Sequence, residues 1–300
     1  MSLLQHPRVV RFLREHANHT SGPAPLAIFD CDGTVIRGDI GEAMLYYQIE
    51  EFHFKVSPAA IWTDYPRRGE LGELYERLSR CDEAARHRDP AFAPFAEMIL
   101  GWYHDQIDNG FVEKACADIV RLFTGFTPAE VRSIASATFT RERNRPLGER
   151  RLGSRTIPAG IRFISQSRDL ILALQSAGFE IWAVSGSSRW SVEPVFESLG
   201  VPPSRVIGID LAVEGGVLAA RALDPVPIRE KKIDAIRRHR TDPPLIVASD
   251  SRNDIPLLAY SSDLKVFVSS RRKDWTVFFS QGKVTKDDSW VVVESPTLEE

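Results

Sequence analysis

The fold of this chain is decided by the stretch Leu26-Ala27-Ile28-Phe29-Asp30-Cys31-Asp32-Gly33-Thr34. A short apolar run that ends in acidic residues and a glycine is typical of a buried strand of a parallel sheet, with polar groups at its carboxyl end. Asp30 and Asp32 would destabilise such a buried strand end unless a cation or a proton offset their charge. The stretch therefore predicts a central strand that delivers two carboxylates to a cation site.

Beyond residue 156 the sequence alternates between helical periodicity and short apolar runs. The predicted helices lie at 165–177, 190–199 and 229–240, with a short one from Asp254, and the predicted strands lie at 179–184, 205–209, 245–249 and 264–268. Gly215 and Gly216 separate two short apolar runs, as the turn of a hairpin would. Strands that alternate with helices predict an α/β fold with a doubly wound parallel sheet.

The segment 39–155 has a different sequence pattern, with helical spacing, many charges and few strand-like runs. We therefore predict a discontinuous catalytic core formed by residues 1–38 and 156–300. A helical cap domain formed by residues 39–155 is inserted after the first strand. Within it, the Arg-rich stretch 141–155 is interpreted as the end of a helix and the linker back to the core.

Composition excludes several classes of protein. The chain has 300 residues, 43% of them hydrophobic and 26% charged, and a formal net charge of -3. This balance offers no basic surplus for nucleic acid or an anionic membrane, and no apolar run approaches the roughly 20 residues that span a bilayer. The three cysteines form no C-x-x-C pair, so a reducing cytoplasm is predicted.

Polar clusters follow three of the predicted strands, and the carboxyl ends of parallel strands meet at one edge of a sheet. The clusters are Asp30-Cys31-Asp32, Ser185-Gly186-Ser187-Ser188 and Asp250-Ser251-Arg252-Asn253-Asp254. Carboxylate oxygens without nearby histidine favour magnesium over zinc or copper. The Ser185 hydroxyl and the Gly186 N–H are suited to phosphate, and either Lys231 or Lys232 would offset the remaining negative charge.

These residues carry a family resemblance. The run Phe29 to Val35 resembles the first motif of the haloacid dehalogenase superfamily, D-x-D-G-T-[VL]. The strand end Ala183 to Gly186 resembles its second motif, Lys232 its third, and Ser249 to Asp254 its fourth, G-D-x-x-x-D. All four occur in the family's order.

The resemblance implies a mechanism and a set of roles. Asp30 would be the nucleophile that forms an aspartyl-phosphate, and Asp32 the acid and base. Mg²⁺ would be held by Asp30, the backbone carbonyl of Asp32 and Asp250, with Asp254 in support. Ser185, Gly186 and Lys232 would bind the phosphate. Lys232 is preferred over Lys231 because Lys232-Ile233-Asp234-Ala235-Ile236 is similar to the K-[VI]-x-x-I of relatives.

One departure from the family pattern is Ser249, which stands where the fourth motif normally has glycine. A side chain there restricts the close approach of the backbone, so we expect an effect on metal geometry or rate. Cys31 is interpreted as a small buried spacer rather than a nucleophile, because burial raises the pKa of a thiol.

A helical insertion directly after the first motif is similar to the phosphoserine phosphatase-like branch, which includes phosphocholine and phosphoethanolamine phosphatases. The resemblance implies that Asp39 or Glu42 faces a substrate amine, and Asn253 is a further candidate for specificity. Aromatic residues follow in the insertion, where rings could enclose an ammonium group. They are Tyr46, Tyr47, Phe52, Phe54 and Trp62.

The sequence thus predicts a Mg²⁺-dependent phosphatase that acts on a small phosphomonoester, which in this branch would carry an amine. Two alternatives remain at this point. One is a phosphotransferase that passes the same aspartyl-phosphate to an acceptor other than water. The other is a non-catalytic binding or regulatory protein that kept the fold, which Ser249 allows.

Overall fold

The structure is a computed structural model that describes residues 3–16, 23–269 and 287–299. Its helices are α1 Pro7–His16, α2 Ile40–Glu50, α3 Pro58–Ile61, α4 Arg68–Ser79, α5 Glu83–Arg86, α6 Phe92–Asp108, α7 Val112–Arg121, α8 Pro128–Asn144, α9 Ser165–Ser176, α10 Arg189–Glu197, α11 Lys231–Arg237 and α12 Ile255–Tyr260. Its strands are β1 Leu26–Phe29, β2 Ile36–Arg37, β3 Gly148–Leu152, β4 Arg155–Ala159, β5 Arg162–Phe163, β6 Glu180–Ser188, β7 Val206–Ile209, β8 Leu211–Glu214, β9 Val217–Ala222, β10 Ile246–Ser249, β11 Leu264–Val268 and β12 Trp290–Val293.

The main sheet has six strands in the order β12-β11-β10-β1-β6-β7, and every neighbouring pair is parallel. All four residues of β1 are buried, as are all four of β10, because helices cover both faces of a parallel sheet. The predicted doubly wound α/β fold is therefore confirmed.

The strand order reverses between β1 and β10. From β1 the chain moves outward to β6 and β7, and it then returns to the other side of β1 with β10, β11 and β12. Ligands of open α/β sheets bind at such a reversal, outside the carboxyl ends of the strands. Asp30 directly follows β1 and Asp250 directly follows β10, so the two carboxylates flank the reversal point.

Between β2 and β3 the chain forms seven helices, α2 to α8, which contribute most of one hydrophobic cluster; Trp190, Ile209 and Leu211 of the core also belong to it. The side chain of Asp39 accepts a hydrogen bond from the Glu42 N–H at 2.8 Å and so caps the start of α2. Helix α8 begins with a capping box between Thr127 and Glu130. The large rings of the cluster include Trp62 and Phe95, both almost fully buried.

The segment 141–155 differs from the prediction of a helix end and linker. Its second half forms β3, which pairs antiparallel with β4 around the turn at Gly153, whose φ is +58°. The sequence did not predict this strand because it contains arginines. In the structure, Arg150 pairs with the Glu50 carboxylate of α2, while Leu152 enters the hydrophobic cluster. A charged side chain is compatible with a strand when its ion-pair partner lies on a neighbouring element.

The chain leaves and re-enters the region of the sheet at one place, where β2 and β5 pair antiparallel. The hairpin predicted around Gly215 and Gly216 forms as β8 and β9. The domain boundaries at residues 38 and 156 stay a prediction, and part of the predicted core, residues 270–286, lies outside the described residues. Among the helices that the structure describes, none combines the length and apolarity needed to cross a bilayer.

Candidate active site

Asp30, the predicted nucleophile, is buried at the carboxyl end of β1. Its Oδ1 atom accepts a hydrogen bond from the Cys31 N–H at 2.9 Å and lies 3.0 Å from Lys232 Nζ. Burial raises the pKa of Asp30 well above its usual value, Lys232 acts against this, and Asp254 and Asp250 add to the rise. The carboxylate is thus held in a strongly electrostatic environment.

The structure distinguishes the two candidate lysines. Lys232, on the first turn of α11, is buried and lies between Asp30 and Asp254, with Nζ at 2.7 Å from Asp254 Oδ2. Burial acts to lower the pKa of Lys232, but Asp254 and Asp30 outweigh it and raise that pKa. Lys231 lies outside this cluster and pairs with Glu113 of α7 at 2.6 Å.

Asp32 has hydrogen-bond partners other than Lys232. Its Oδ1 atom accepts a hydrogen bond from the Ile40 N–H at 2.7 Å, and its Oδ2 atom accepts one from the Ser187 hydroxyl at 2.7 Å. The Ser185 hydroxyl lies 3.4 Å from the same Oδ2 atom. Burial raises the pKa of Asp32, and the hydrogen bonds from Ile40 and Ser187 oppose the rise. The two carboxylates one residue apart therefore have different partners.

Ser187 is a site residue that the sequence argument did not single out. It occupies the same face of β6 as Ser185, because side chains two residues apart on a strand point the same way. Its backbone N–H donates to the Ser185 hydroxyl at 3.0 Å. The period of two along the Ser185-Gly186-Ser187 run was the signal that could have identified it.

Gly186 brings the strand close to the loop before α11. A Cβ atom at Gly186 would lie 2.5 Å from Ile228 Cδ1, a distance that forces the isoleucine to move. Gly33 shows the same closeness beside β10. Its φ is +74°, and a Cβ atom there would lie 2.1 Å from Asp250 Oδ2. Both glycines are required for the packing of the site.

Asp250 lies beside the first motif, where Thr34 Oγ1 donates to its Oδ1 atom at 3.0 Å. Burial raises the pKa of Asp250 to about 6, and the Thr34 hydrogen bond opposes the rise. Asp254 is buried, and its Oδ2 atom accepts from both Lys232 and the Ser249 hydroxyl, the latter at 2.7 Å. Ser249, the departure from the family glycine, is thus fully buried and bonded to a motif carboxylate.

The donor set fits a hard divalent cation. Asp30, Asp250 and Asp254 are carboxylates near one buried amine. In addition to the effect of burial, Asp254 and Asp250 raise the pKa of Asp30, and Asp254 raises the pKa of Asp250, so the ionised carboxylates repel one another. Both side-chain oxygens of Asp32 accept hydrogen bonds from protein groups, which leaves its backbone carbonyl as the donor that this residue could offer. All these donors are oxygens, the ligands that Mg²⁺ prefers.

Another group of three potential metal ligands lies far from the strand ends. Among the described residues, Glu15, His16 and Asp263 bring one ligand atom each within 4.8 Å of the others. The Asp263 carboxylate is already paired with Arg8 and with His16, so the group reads as an ion-pair cluster at the end of α1.

A cavity of about 200 Å³ opens at these strand ends. From the core, the residues that line it include Asp30, Asp32, Ser185, Gly186, Ser187, Lys232, Asn253 and Asp254. From the helical segment, the lining residues are Asp39, Gly41, Tyr103, Val112, Cys116 and Ile119. The last four were not predicted, because only tertiary packing brings α6 and α7 over the strand ends.

The three predicted specificity residues have different positions. Asp39 lines the cavity while it caps α2, and burial raises its pKa well above the usual value. Glu42 is not among the lining residues, and its carboxylate accepts hydrogen bonds from the Tyr46 hydroxyl at 2.9 Å and the Tyr103 hydroxyl at 3.3 Å. Asn253 lines the cavity, and its Oδ1 atom lies 3.4 Å from Arg229 Nε.

The five aromatic residues that could enclose an ammonium group, according to the sequence, do not line the cavity. None of the five rings from Tyr46 to Trp62 is among the residues that line the cavity. The Trp62 indole donates to the Asp118 carbonyl at 2.9 Å inside the helical segment, and Phe52 stacks on Tyr75. These rings at helical spacing form a core because they face one another.

One smaller expectation, on Cys31, can also be compared with the structure. Cys31 is fully buried, and burial raises the pKa of its thiol well above the usual value, as expected of a spacer.

Residues 111–259 match the model of the haloacid dehalogenase-like hydrolase family. No curated protein matches the sequence significantly.

Two solved structures of low sequence identity share the fold. A conserved protein of unknown function from Anaerococcus prevotii DSM 20548 superposes with a TM-score of 0.74 at 17% identity, over 93% of this chain and 89% of that chain. A protein of unknown function from Bordetella pertussis Tohama I gives a TM-score of 0.58 at 18% identity, over 91% of this chain and 99% of that chain. A substrate-bound phosphoserine phosphatase gives 0.40 at 13% identity, over 92% of this chain and 95% of that chain.

The family match covers the second, third and fourth motifs, and the first motif precedes it at the central strand. The strand order of the sheet and the carboxylates at its reversal point agree with the match. Over residues 111–259 the chain is therefore similar to the haloacid dehalogenase-like hydrolases.

Proposed function

We propose that the chain is a Mg²⁺-dependent phosphatase that hydrolyses a small phosphomonoester through an aspartyl-phosphate on Asp30. The observation that carries the proposal is the buried contact of Lys232 with Asp30 and Asp254, opposite an Asp32 side chain that has separate partners. This arrangement separates a nucleophile beside a cation from a second carboxyl group available for proton transfer.

In the first step a free carboxylate oxygen of Asp30 attacks phosphorus. The bond between phosphorus and the ester oxygen breaks, and Asp32 donates its proton to the departing alcohol. Burial favours the protonated form of Asp32 that this step requires, because it raises the pKa of that carboxyl. Lys232 and the groups at Ser185 and Gly186 would bind the phosphoryl oxygens.

In the second step Asp32, now ionised, accepts a proton from water. The water oxygen attacks phosphorus, the bond to Asp30 breaks, and phosphate is released with both carboxyl groups restored. When bound by Asp30, Asp250 and the Asp32 backbone carbonyl, with Asp254 in support, Mg²⁺ would supply positive charge to the phosphoryl oxygens.

The cavity supports a small substrate, because it measures about 200 Å³ and is bounded by α6 and α7 of the helical segment. Asp39 lines it as a buried carboxylate, which supports an amine-bearing alcohol such as serine, choline or ethanolamine. The proposal includes the cytoplasmic location predicted from the cysteines, and a small molecule rather than nucleic acid or a membrane as partner.

The test is phosphate release from a panel of phosphoserine, phosphocholine, phosphoethanolamine and sugar phosphates, with and without Mg²⁺. We expect turnover that requires Mg²⁺ and that falls at least about 1,000-fold in Asp30→Asn, because the nucleophile is lost. Asp242→Asn, a change at an exposed aspartate, is the matched control and should behave like the wild type. Turnover by a folded Asp30→Asn protein at the wild-type rate would exclude the mechanism.

A further inference from the structure

Two cavities share a wall beside the candidate active site. The catalytic cavity of about 200 Å³ and a second cavity of about 690 Å³ are both lined by Val112, Ile228 and Arg229. The second cavity lies between the start of α7 and the loop that runs from β9 to α11. The two cavities are thus adjacent, and these three residues lie at the boundary between them.

The loop that carries Arg229 is fixed against the catalytic groups on both sides. Before it, Ile228 packs on Gly186, where an added Cβ would lie 2.5 Å from Ile228 Cδ1. After it, the Lys232 N–H donates to the Arg229 carbonyl at 3.1 Å, and the Lys232 amine contacts Asp30. Arg229 thus has a defined position relative to the nucleophile.

The backbone of Arg229 is in the left-handed region, with a φ of 55°. This conformation costs a residue with a side chain about 1 kcal/mol relative to the right-handed one, and glycine would adopt it without that cost. Strained residues of this kind cluster at ligand sites, where the side chain is needed at that position. An arginine in place of the easier glycine indicates a use for the guanidinium.

The guanidinium of Arg229 is exposed and has little to bind within the chain. Its Nε atom lies 3.4 Å from Asn253 Oδ1, and among the described residues it forms no ion pair with a carboxylate. The other cations that line the second cavity are already paired. Lys231 contacts Glu113 at 2.6 Å, while Lys114 and Arg121 both contact Asp118, at 2.5 and 2.7 Å.

We propose that Arg229 binds a second anionic group of the substrate, a carboxylate or phosphate carried by the alcohol part of the phosphomonoester. The inference rests on the proposed function, because it assumes that the phosphoester lies at Asp30. Within the catalytic cavity, Asp30, Asp32 and Asp254 would repel a second anion. The planar guanidinium at the shared wall instead matches the geometry of a carboxylate or phosphate. Arg229 and Asn253 are then residues that determine specificity.

The test uses two phosphomonoesters of similar shape. In 4-carbamoylphenyl phosphate the alcohol part is uncharged, and in 4-carboxyphenyl phosphate it carries a carboxylate at the same position of the ring, while the two phenols are leaving groups of similar acidity. We expect the wild type to have a roughly tenfold higher kcat/KM for the carboxylated ester, the effect of one charge-assisted contact in a partly exposed site. Arg229→Gln should abolish this preference.

Two further variants serve as controls. Arg229→Gly removes the guanidinium and also the backbone strain, so a loss of preference in both variants assigns the effect to the guanidinium. Lys231→Gln removes a neighbouring cation that lines only the second cavity, and it should keep the wild-type preference. The inference is overturned if Arg229→Gln keeps the preference or if the wild type has none.

Failure of the proposed function gives a different result. If the wild type releases phosphate from neither ester, the phosphatase proposal fails, and calorimetric binding of the two esters then decides the role of Arg229. Tighter binding of 4-carboxyphenyl phosphate that is lost in Arg229→Gln supports the role. Equal binding of the two esters, or no binding of either, refutes it.

Discussion

At the strand ends of the sheet, charged side chains are buried and bonded to one another, whereas in the helical segment the buried side chains are mainly apolar and aromatic. Asp30, Asp254 and Lys232 form a chain of contacts between motifs that are more than 200 residues apart. Trp62 and Phe95 pack inside the segment between β2 and β3. Burial of charge is costly and needs a compensating use, while burial of rings stabilises by itself.

The two regions also differ in how well the type of a residue predicts its position relative to the cavity. At the strand ends, Asp30, Asp32, Ser185, Lys232 and Asp254 line the cavity, whereas Asp250 is not among the lining residues and is bonded to Thr34. In the helical segment, the aromatic run from Tyr46 to Trp62 packs away from the cavity, and residues of α6 and α7 line it instead. A charged residue buried without use would be destabilising, but an aromatic residue has many acceptable positions in a core.

The largest difference between a buried and an exposed charge is expected at the two lysines. Lys232→Met leaves the buried Asp30 and Asp254 carboxylates without their cation, so we expect the free energy of unfolding to fall by about 3 to 5 kcal/mol. Lys231→Met removes only the exposed pair with Glu113 and should cost less than about 1 kcal/mol. Chemical denaturation measures both, and similar costs would contradict the distinction between the two lysines.

The burial of charge also predicts a dependence on pH in the metal-free protein. Burial raises the pKa of Asp250 to about 6 from its usual value of 3.8, so between these values the folded state binds more protons than the unfolded state. The stabilising contribution is complete below about pH 4 and is lost as the pH rises through about 6. The loss amounts to at most about 3 kcal/mol.

Urea denaturation in the presence of a chelator, between pH 4 and pH 7, measures this effect. Asp250→Asn should show a smaller decline than the wild type, since the other buried carboxyl groups are the same in both proteins. The exposed Asp242→Asn variant should keep the wild-type decline. A decline that is unchanged in Asp250→Asn would show that Asp250 is not the group responsible.

The smallest of the three effects is expected in the aromatic cluster of the helical segment. Trp62→Phe removes the hydrogen bond to the Asp118 carbonyl and part of the ring, so we expect a loss of about 1 to 3 kcal/mol in the free energy of unfolding. Phosphate release per folded molecule should stay within about twofold of the wild type. A selective rise in KM for an ammonium-bearing substrate would instead place Trp62 at the substrate.

Much of the fold followed from local pattern. The apolar runs that became β1, β10 and β11 were predicted to within a residue or two, because a strand buried on both faces has to be continuously apolar. Strand β3 was missed because it contains two arginines, of which Arg150 pairs with Glu50 of α2. Helix α11 proved shorter at both ends than the predicted 229–240.

By itself the sequence determined the order of strands and helices, the polar clusters at the strand ends and the residue types available for phosphoryl transfer. These are local properties, set by periodicity and by the cost of burying a carboxylate. The tertiary structure decided which lysine reaches Asp30, that Ser187 bonds to Asp32 and that Ser249 bonds to Asp254. It also decided that Arg229 lies between two cavities. Such contacts join distant segments, and their geometry depends on how the helices pack over the sheet, which no spacing along the chain records.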